Sequence, residues 1–422
     1  VINLAAAVQV KRVLALKSNS GPGTNPLFGA ACKKTLHLTL LVLFIVFIAA
    51  PSLAVAAPES AAELDNRVND VDMVEIQRLV NRMDMEIKEA LPESEFKSLV
   101  AKLARGEIPL QPGEIFNQSL KYIFREVVAN STLLAKLVVL AIICAVLHNL
   151  TGAFEKGTTG QLTHMVAYMV LVTMAVGSFG LAVQLGRDVV DKMVVFMQAL
   201  LPLLLTLLVA VGGITSAAIF HPLVFVTITA FGTIMKNVVL PLIFFAAVLE
   251  IVSGLSKEFQ VSKMAGLLKG VAMGLMGLMS TIFLGVMAIQ GVAGAVGDSL
   301  TYRTAKFATN TFIPVVGGVF SDALGAIIRS SLLMKNAVGI AGVLIIAIIV
   351  VVPLVKIITM AFIYKLAGAI IQPVGEEDIS DCLNSLGNNL ITVFAAVAMV
   401  GLLFFFTIAI VVGMGNFTVM LH

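Results

Sequence analysis

Few groups in this chain could do chemistry, and those that could are set in apolar sequence. His221 stands beside Pro222 in the Phe-His-Pro-Leu stretch at 220–223. The proline frees a backbone carbonyl one turn back, where an imidazole could satisfy a polar group or relay a proton. The alternative is a histidine at a helix kink, bonded to a neighbouring carbonyl. Glu250 lies seven residues before Lys257, close enough to the edge of its apolar stretch for an interfacial carboxylate. Lys356 and Lys365 flank 357–364. Either they snorkel to one interface from a hairpin broken near Pro353, or they line a passage.

No enzymatic constellation accompanies these residues. Walker, H-E-x-x-H and G-x-S-x-G patterns are missing, and Cys32, Cys144 and Cys382 stand far apart, so neither zinc nor redox chemistry is expected. The acidic run Glu376-Glu377-Asp378 with Asp381 reads as a solvated loop or a cation site without a recognised calcium pattern. No catalytic, cofactor or metal residues are therefore assigned. Basic residues are scattered rather than gathered into a stripe, which gives nucleic-acid binding no support.

The elements that must position these groups are membrane helices. Of 422 residues 59% are hydrophobic and 13% charged, and mean hydropathy is +1.01; soluble domains carry about 25% charged residues. Three regions differ in character. Residues 1–56 hold five basic and no acidic residues, 57–131 nine basic and fourteen acidic, and 132–422 fourteen basic and eleven acidic. The expected fold is all-α: a polytopic helical membrane protein with a small exported amino-terminal helical domain.

The leader carries Lys33-Lys34, an apolar run at 38–50, and Ala54-Val55-Ala56. A positive flank, a short apolar run and a small-x-small site make a cleavable signal peptide, and an uncleaved anchor is the alternative. Cleavage after Ala56 would remove five basic and no acidic residues, taking the net charge from +3 to −2. Residues 57–131 then form the exported domain. Ile76, Leu79, Val80, Met83, Ile87 and Leu91 share one helical face ended by Pro92; Phe96, Leu99, Val100 and Leu103 share another, stopped by Gly106; 115–127 makes a third. Such a domain can bury only a modest core and should lean on the membrane or a partner.

In 132–422, apolar stretches at 133–150, 162–185, 194–211, 214–234, 238–254, 265–296, 337–371 and 390–414 make eight spans at about 20 residues each, or nine if 337–371 is a hairpin. Starting outside, the fifth span exits at 256–269, where Lys257, Lys263 and Lys269 oppose Glu258, as the positive-inside rule requires. The next segment, 297–336, lands outside yet carries Arg303, Lys306, Arg329 and Lys335. Its helical spacing from Ile313 to Leu332 suits a re-entrant or interfacial helix, with Arg303, Lys306 and Pro314 near a pathway or headgroups. Gly266, Gly270 and Gly274 predict close helix packing. A weak echo links 186–238 to 297–337 through Leu-Pro-Leu-Leu and Ile-Pro-Val-Val, and through two Met-Lys-Asn triplets. Duplicated halves of this kind occur in transporters; chance similarity between apolar helices is the alternative.

The stretches I-T-S-A-A-I-F-H-P at 214–222, R-T-A-K-F and F-I-P-V-V-G within 303–317, and A-F-I-Y-K-L-A with I-Q-P within 361–373 resemble the stage III sporulation protein AE family of endospore-forming bacteria. The resemblance runs from about Lys33 to the carboxy terminus. It implies a multi-pass protein of the mother-cell membrane around the forespore, with its amino-terminal domain in the intermembrane space. It also implies a place in a channel-like complex with other products of the same operon, including an ATPase and ring-forming proteins, and with a forespore partner. No catalytic residue is implied. Two other readings stay open: a self-contained secondary transporter with a midplane polar site, and a purely structural scaffold for assembly.

Overall fold

The computed structural model describes residues 72–90, 95–107, scattered positions between 125 and 146, and 158–255, 261–312, 317–374 and 377–420. The signal-peptide region, the stripe at 115–124, Cys32, Cys144 and Pro314 lie outside the described residues, as does most of 133–150.

The amino-terminal helices are α1 (Val74–Asn81), α2 (Met85–Ala90) and α3 (Phe96–Ala104). The stripe expected to form one helix from Ile76 to Leu91 is split at Arg82–Asp84. Ile76, Val80 and Ile87 are nevertheless all buried, because the bend lets both pieces face the same core. The Lys88 ammonium closes the bend by donating to the Asn81 carbonyl, and the Gln77 side chain caps the start of α3 by accepting from the Phe96 amide. Gly106 ends α3 as expected. Its φ is 70°, and the Gly106 and Glu107 amides return to the Leu103 and Lys102 carbonyls, the paired bonds of a left-handed helix cap.

The body consists of long helices: α4 (Thr158–Ala210), α5 (Ile214–Ile234), a π-turn (Met235–Val239) leading into α6 (Leu240–Leu255), α7 (Ser262–Phe312), α8 (Gly317–Ile371) and α9 (Glu377–Met420). Among the described residues five stretches are long and apolar enough to cross a membrane: Val172–Ala210, Ile214–Ser253, Ser262–Gly291, Ser330–Ile371 and Asp378–Met414. The chain is a multi-pass helical membrane protein.

Several expected breaks are not breaks. The stretches 162–185 and 194–211 belong to one helix, since Arg187, Asp188, Asp191 and Lys192 fall on one side while Val189, Val190, Met193, Phe196 and Met197 are buried on the other. Likewise 214–234 and 238–254 are joined through the π-turn. The hairpin at Pro353 does not form, because α8 runs through that proline. Packed apolar helices tolerate such a residue when neighbours re-satisfy the freed carbonyl. The re-entrant helix over 297–336 is not a separate element either. Residues 297–312 continue α7 and 317–336 begin α8, which runs unbroken from Gly317 to Ile371.

α8 and α9 are antiparallel and carry the most buried surfaces. Gly401 meets Val350, Gly387 meets Lys365, and Gly368 meets the Ser380 carbonyl. α4 and α5 turn back on each other through Gly212, whose φ of 96° favours glycine strongly. Gly232 of α5 then sits directly against Val194 of α4. The amino-terminal helices dock on α4 and α8 and share one buried core with them. The small domain thus leans on its own membrane body.

Candidate functional site

The most concentrated polar chemistry inside the bundle centres on Asn389. This side chain is fully buried, at the level where α6, α7 and α9 meet. Its amide nitrogen donates to Glu250 Oε2 of α6, and its carbonyl oxygen accepts from Lys269 Nζ of α7 at 2.9 Å. One neutral amide therefore spans a carboxylate and an ammonium carried by three different candidate spans. The opposite charges cancel at long range, while the amide holds them apart and orients both. Charged groups on apolar helices are costly unless partnered, and here one amide holds both.

Further polar contacts lie along the same bundle. Lys192 pairs with Asp84 of the bend between α1 and α2, and Lys236 of the π-turn pairs with Asp191 at 2.7 Å. The Tyr364 hydroxyl donates to the Ala175 carbonyl at 3.0 Å, tying α8 to α4. Lys335 is fully buried and donates to the Val412 carbonyl at 2.9 Å. Gln290 Oε1 and Asn336 Oδ1 are buried without a hydrogen-bond partner.

The sequence-derived candidates are distributed unevenly over this framework. Glu250 belongs to the Asn389 network and is half-buried, five residues before the end of α6. His221 and Pro222 lie on the exposed side of α5, so that imidazole does not face the interior; α5 continues through Pro222 without a break. Lys356 and Lys365 are nine residues apart on one continuous helix, which turns them roughly 180° from each other. They share no face and do not jointly line one passage. Lys365 lays its aliphatic stem across Gly387, where an added Cβ would come 2.8 Å from its Cγ. Arg303 and Lys306 stand in the continuous part of α7, and their side chains, like Pro314, are outside what is described. Gly266, Gly270 and Gly274 face open space, contrary to the close packing expected of them. The two Met-Lys-Asn triplets also differ in role, one opening a π-turn and the other placing a buried lysine in α8.

Sequence reasoning missed Asn389, Lys269 and the partners of Lys192 and Lys236. Lys269 falls in both the basic 256–269 segment and the 265–296 apolar stretch, and reads there as a charge at the edge of a span. Asn389 reads as the polar edge of a span. No three His, Cys, Asp or Glu side chains converge on a metal-sized site among the described residues.

Comparison with known proteins bears on the whole of this body. Residues 94–415 match the family described as stage III sporulation protein AE, a region that includes Glu250, Lys269, Lys335 and Asn389 but starts beyond Asp84. Stage III sporulation protein AE of Bacillus subtilis (strain 168) is 42% identical over 331 residues, covering 78% of this chain and 83% of that protein. No solved structure matches the chain. On a family match spanning most of its length and a relative this similar, the chain belongs to the stage III sporulation protein AE family, and it is a sporulation membrane protein.

Proposed function

We propose that this chain is a non-enzymatic, multi-pass subunit of a channel-like complex that links mother cell and forespore during endospore formation and supports forespore development. It resides in the mother-cell membrane surrounding the forespore, with the amino-terminal helices on the exterior, intermembrane side. Its partners are other proteins of the same operon, including an ATPase and ring-forming subunits, and a forespore protein across the intermembrane space. The observation that carries this reading is membership of the stage III sporulation protein AE family, in a body with five described stretches long and apolar enough to cross a membrane. With no nucleotide-binding pattern in the sequence, energy would come from a partner.

The test is affinity isolation of the tagged chain from sporulating cells, paired with scoring of forespore development after its deletion. Co-isolation of the ATPase and ring-forming proteins, with arrest of the forespore on deletion, is the expected result. Recovery of the chain without those proteins counts against a shared complex.

A second reading, the self-contained secondary transporter, is favoured by one observation: the Glu250–Asn389–Lys269 network joins three candidate spans. It predicts solute flux by the purified chain alone in liposomes. The scaffold reading predicts that Asn389→Leu leaves development intact wherever assembly survives, whereas a conduit subunit assembles and then fails.

A further inference from the structure

α7 and α9 run side by side in one register. Lys269 meets Asn389, Phe283 meets Phe404 and Gly291 meets Ile410, offsets of 120, 121 and 119 residues. The helices are therefore parallel, and each α7 position has a defined level on α9. Beside this contact each helix carries a stripe that the rest of the chain leaves open. On α7, Lys263, Gly266, Gly270 and Gly274 fall at i, i+3, i+7 and i+11 and are all exposed, so they share one face. A Cβ built at any of the three glycines meets no atom. On α9, Asp381, Asn384 and Asn388 fall at i, i+3 and i+7 and are exposed, while Leu383, Leu386 and Leu390 are buried behind them. No ion pair or hydrogen bond joins the side chains of Lys263, Asp381, Asn384 or Asn388 to another described residue.

The two stripes border the outside of the same seam. At 100° per residue, the buried Ala265 and Ala272 of α7 lie on one side of Lys269 and the open glycines on the other. On α9 the buried leucines likewise lie on one side of Asn389, and Asp381, Asn384 and Asn388 on the other. With the offset of 120, Lys263 stands level with residue 383, between Asp381 and Asn384. Gly266 and Gly270 stand level with residues 386 and 390, on either side of Asn388. The α9 stripe thus has an acid where the α7 stripe has a lysine, and a large amide where α7 has bare backbone.

Neither solvent suits this surface in a single chain. In hydrocarbon, Lys263 and Asp381 would be charges without partners. In water, exposed Met264, Leu267 and Val271 of α7 and Phe362 and Ile370 of α8 would be left uncovered at the same levels. The conflict holds wherever the bilayer lies along the bundle, and a protein cover removes it.

We propose that this seam is the interface with a second copy of the same chain. A two-fold axis along the bundle lays α9 of each copy on α7 of the other and keeps both copies in one orientation and at one level, as an isologous contact requires. Asp381 of one copy then pairs with Lys263 of the other, twice. Asn384 and Asn388 fill the space over Gly266 and Gly270, where no side chain intervenes and an amide reaches the opposing backbone. The inference adds a self-contact to the proposed subunit and does not depend on whether that subunit conducts.

The test uses two differently tagged full-length chains produced together in a host that makes no other sporulation protein, extracted in detergent and isolated through one tag. The parent is expected to co-isolate with itself. Lys263→Asp sets two acids at each contact and Asp381→Lys sets two lysines, so each variant is expected to lose co-isolation with its own kind. Lys263→Asp produced with Asp381→Lys restores an opposite pair at both contacts, and co-isolation is expected to return to the parental level. Recovery only in that mixture cannot come from a contact within one chain. Gly270→Leu, which meets no atom of its own chain, is expected to lose co-isolation while eluting as a monodisperse species. A parent that does not co-isolate with itself overturns the proposal, because the stripes then face lipid headgroups or another protein. So does a mixture that fails to recover, or a Gly270→Leu chain that pairs as the parent does.

Discussion

α8 and α7 are both long and apolar, yet they use their small and polar residues in opposite ways. In the Ser330–Ile371 stretch of α8, 67% of the most apolar window is buried, and in Ser262–Gly291 of α7 only 22% is. Gly339 of α8 lies directly against Val412, and Lys335 and Tyr364 of the same helix are fully buried with carbonyl partners on α9 and α4. On α7, Gly266, Gly270, Gly274 and Gly277 have nothing near them, and Leu267, Val271, Leu278 and Ile282 point outward. A small residue is thus a packing device only where a second backbone arrives. Composition is shared by the two helices, and position in the bundle separates them.

Substitutions can break or sharpen this contrast. The largest effect is expected at Gly339→Leu, which forces atoms into the space of Val412. Overpacking of this kind costs typically about 1–3 kcal/mol or more, read as early loss of the monodisperse peak on heating in detergent. If that variant is as stable as the parent, α8 is not closely packed on α9. Asn389→Leu comes next, since it strips Glu250 and Lys269 of their shared partner. Unsatisfied buried groups cost about 1–3 kcal/mol, and Asn389→Gln should recover part of the loss if hydrogen bonding rather than volume is responsible. A thermal-shift series over the two variants checks this.

Tyr364→Phe should cost less, about 0.5–1.5 kcal/mol for one hydrogen bond, and should leave oligomeric behaviour unchanged by light scattering. The smallest effect, of opposite sign, is expected at Gly270→Ala. An open helical glycine gives up roughly 0.5–1 kcal/mol relative to alanine, so this variant should be slightly more stable in isolated form. A marked loss of complex assembly with Gly270→Ala, despite a stable chain, would mean that the α7 face is covered by a partner in the membrane and would redraw the comparison.

Much of the architecture is legible in the apolar pattern. The stripe of α3 and the cap at Gly106 appear where periodicity places them. Helix ends are less legible. Four charged residues at 187–192 look like a loop between spans, but their spacing puts them on one side of a helix whose other side is buried. Pro353 looks like a break because, in isolation, a proline removes a hydrogen bond; in the packed bundle α8 continues through it. The polar site was half legible. Glu250 stands out as an acid in apolar sequence, whereas Asn389 and Lys269 lie 139 and 19 residues further on and acquire meaning only through contact.

The sequence alone determined the solvent of each part, because hydropathy and charge density are sums over residues that no fold can alter. It also carried the family resemblance, since that rests on residue order in local stretches. Only the tertiary structure decided which charges are paired, which glycines touch a neighbour and which apolar stretches are one helix. Those are properties of pairs distant along the chain: Lys192 with Asp84 across 108 residues and Lys335 with Val412 across 77. Whether such a group is buried at a cost or satisfied depends on the partner that packing brings to it.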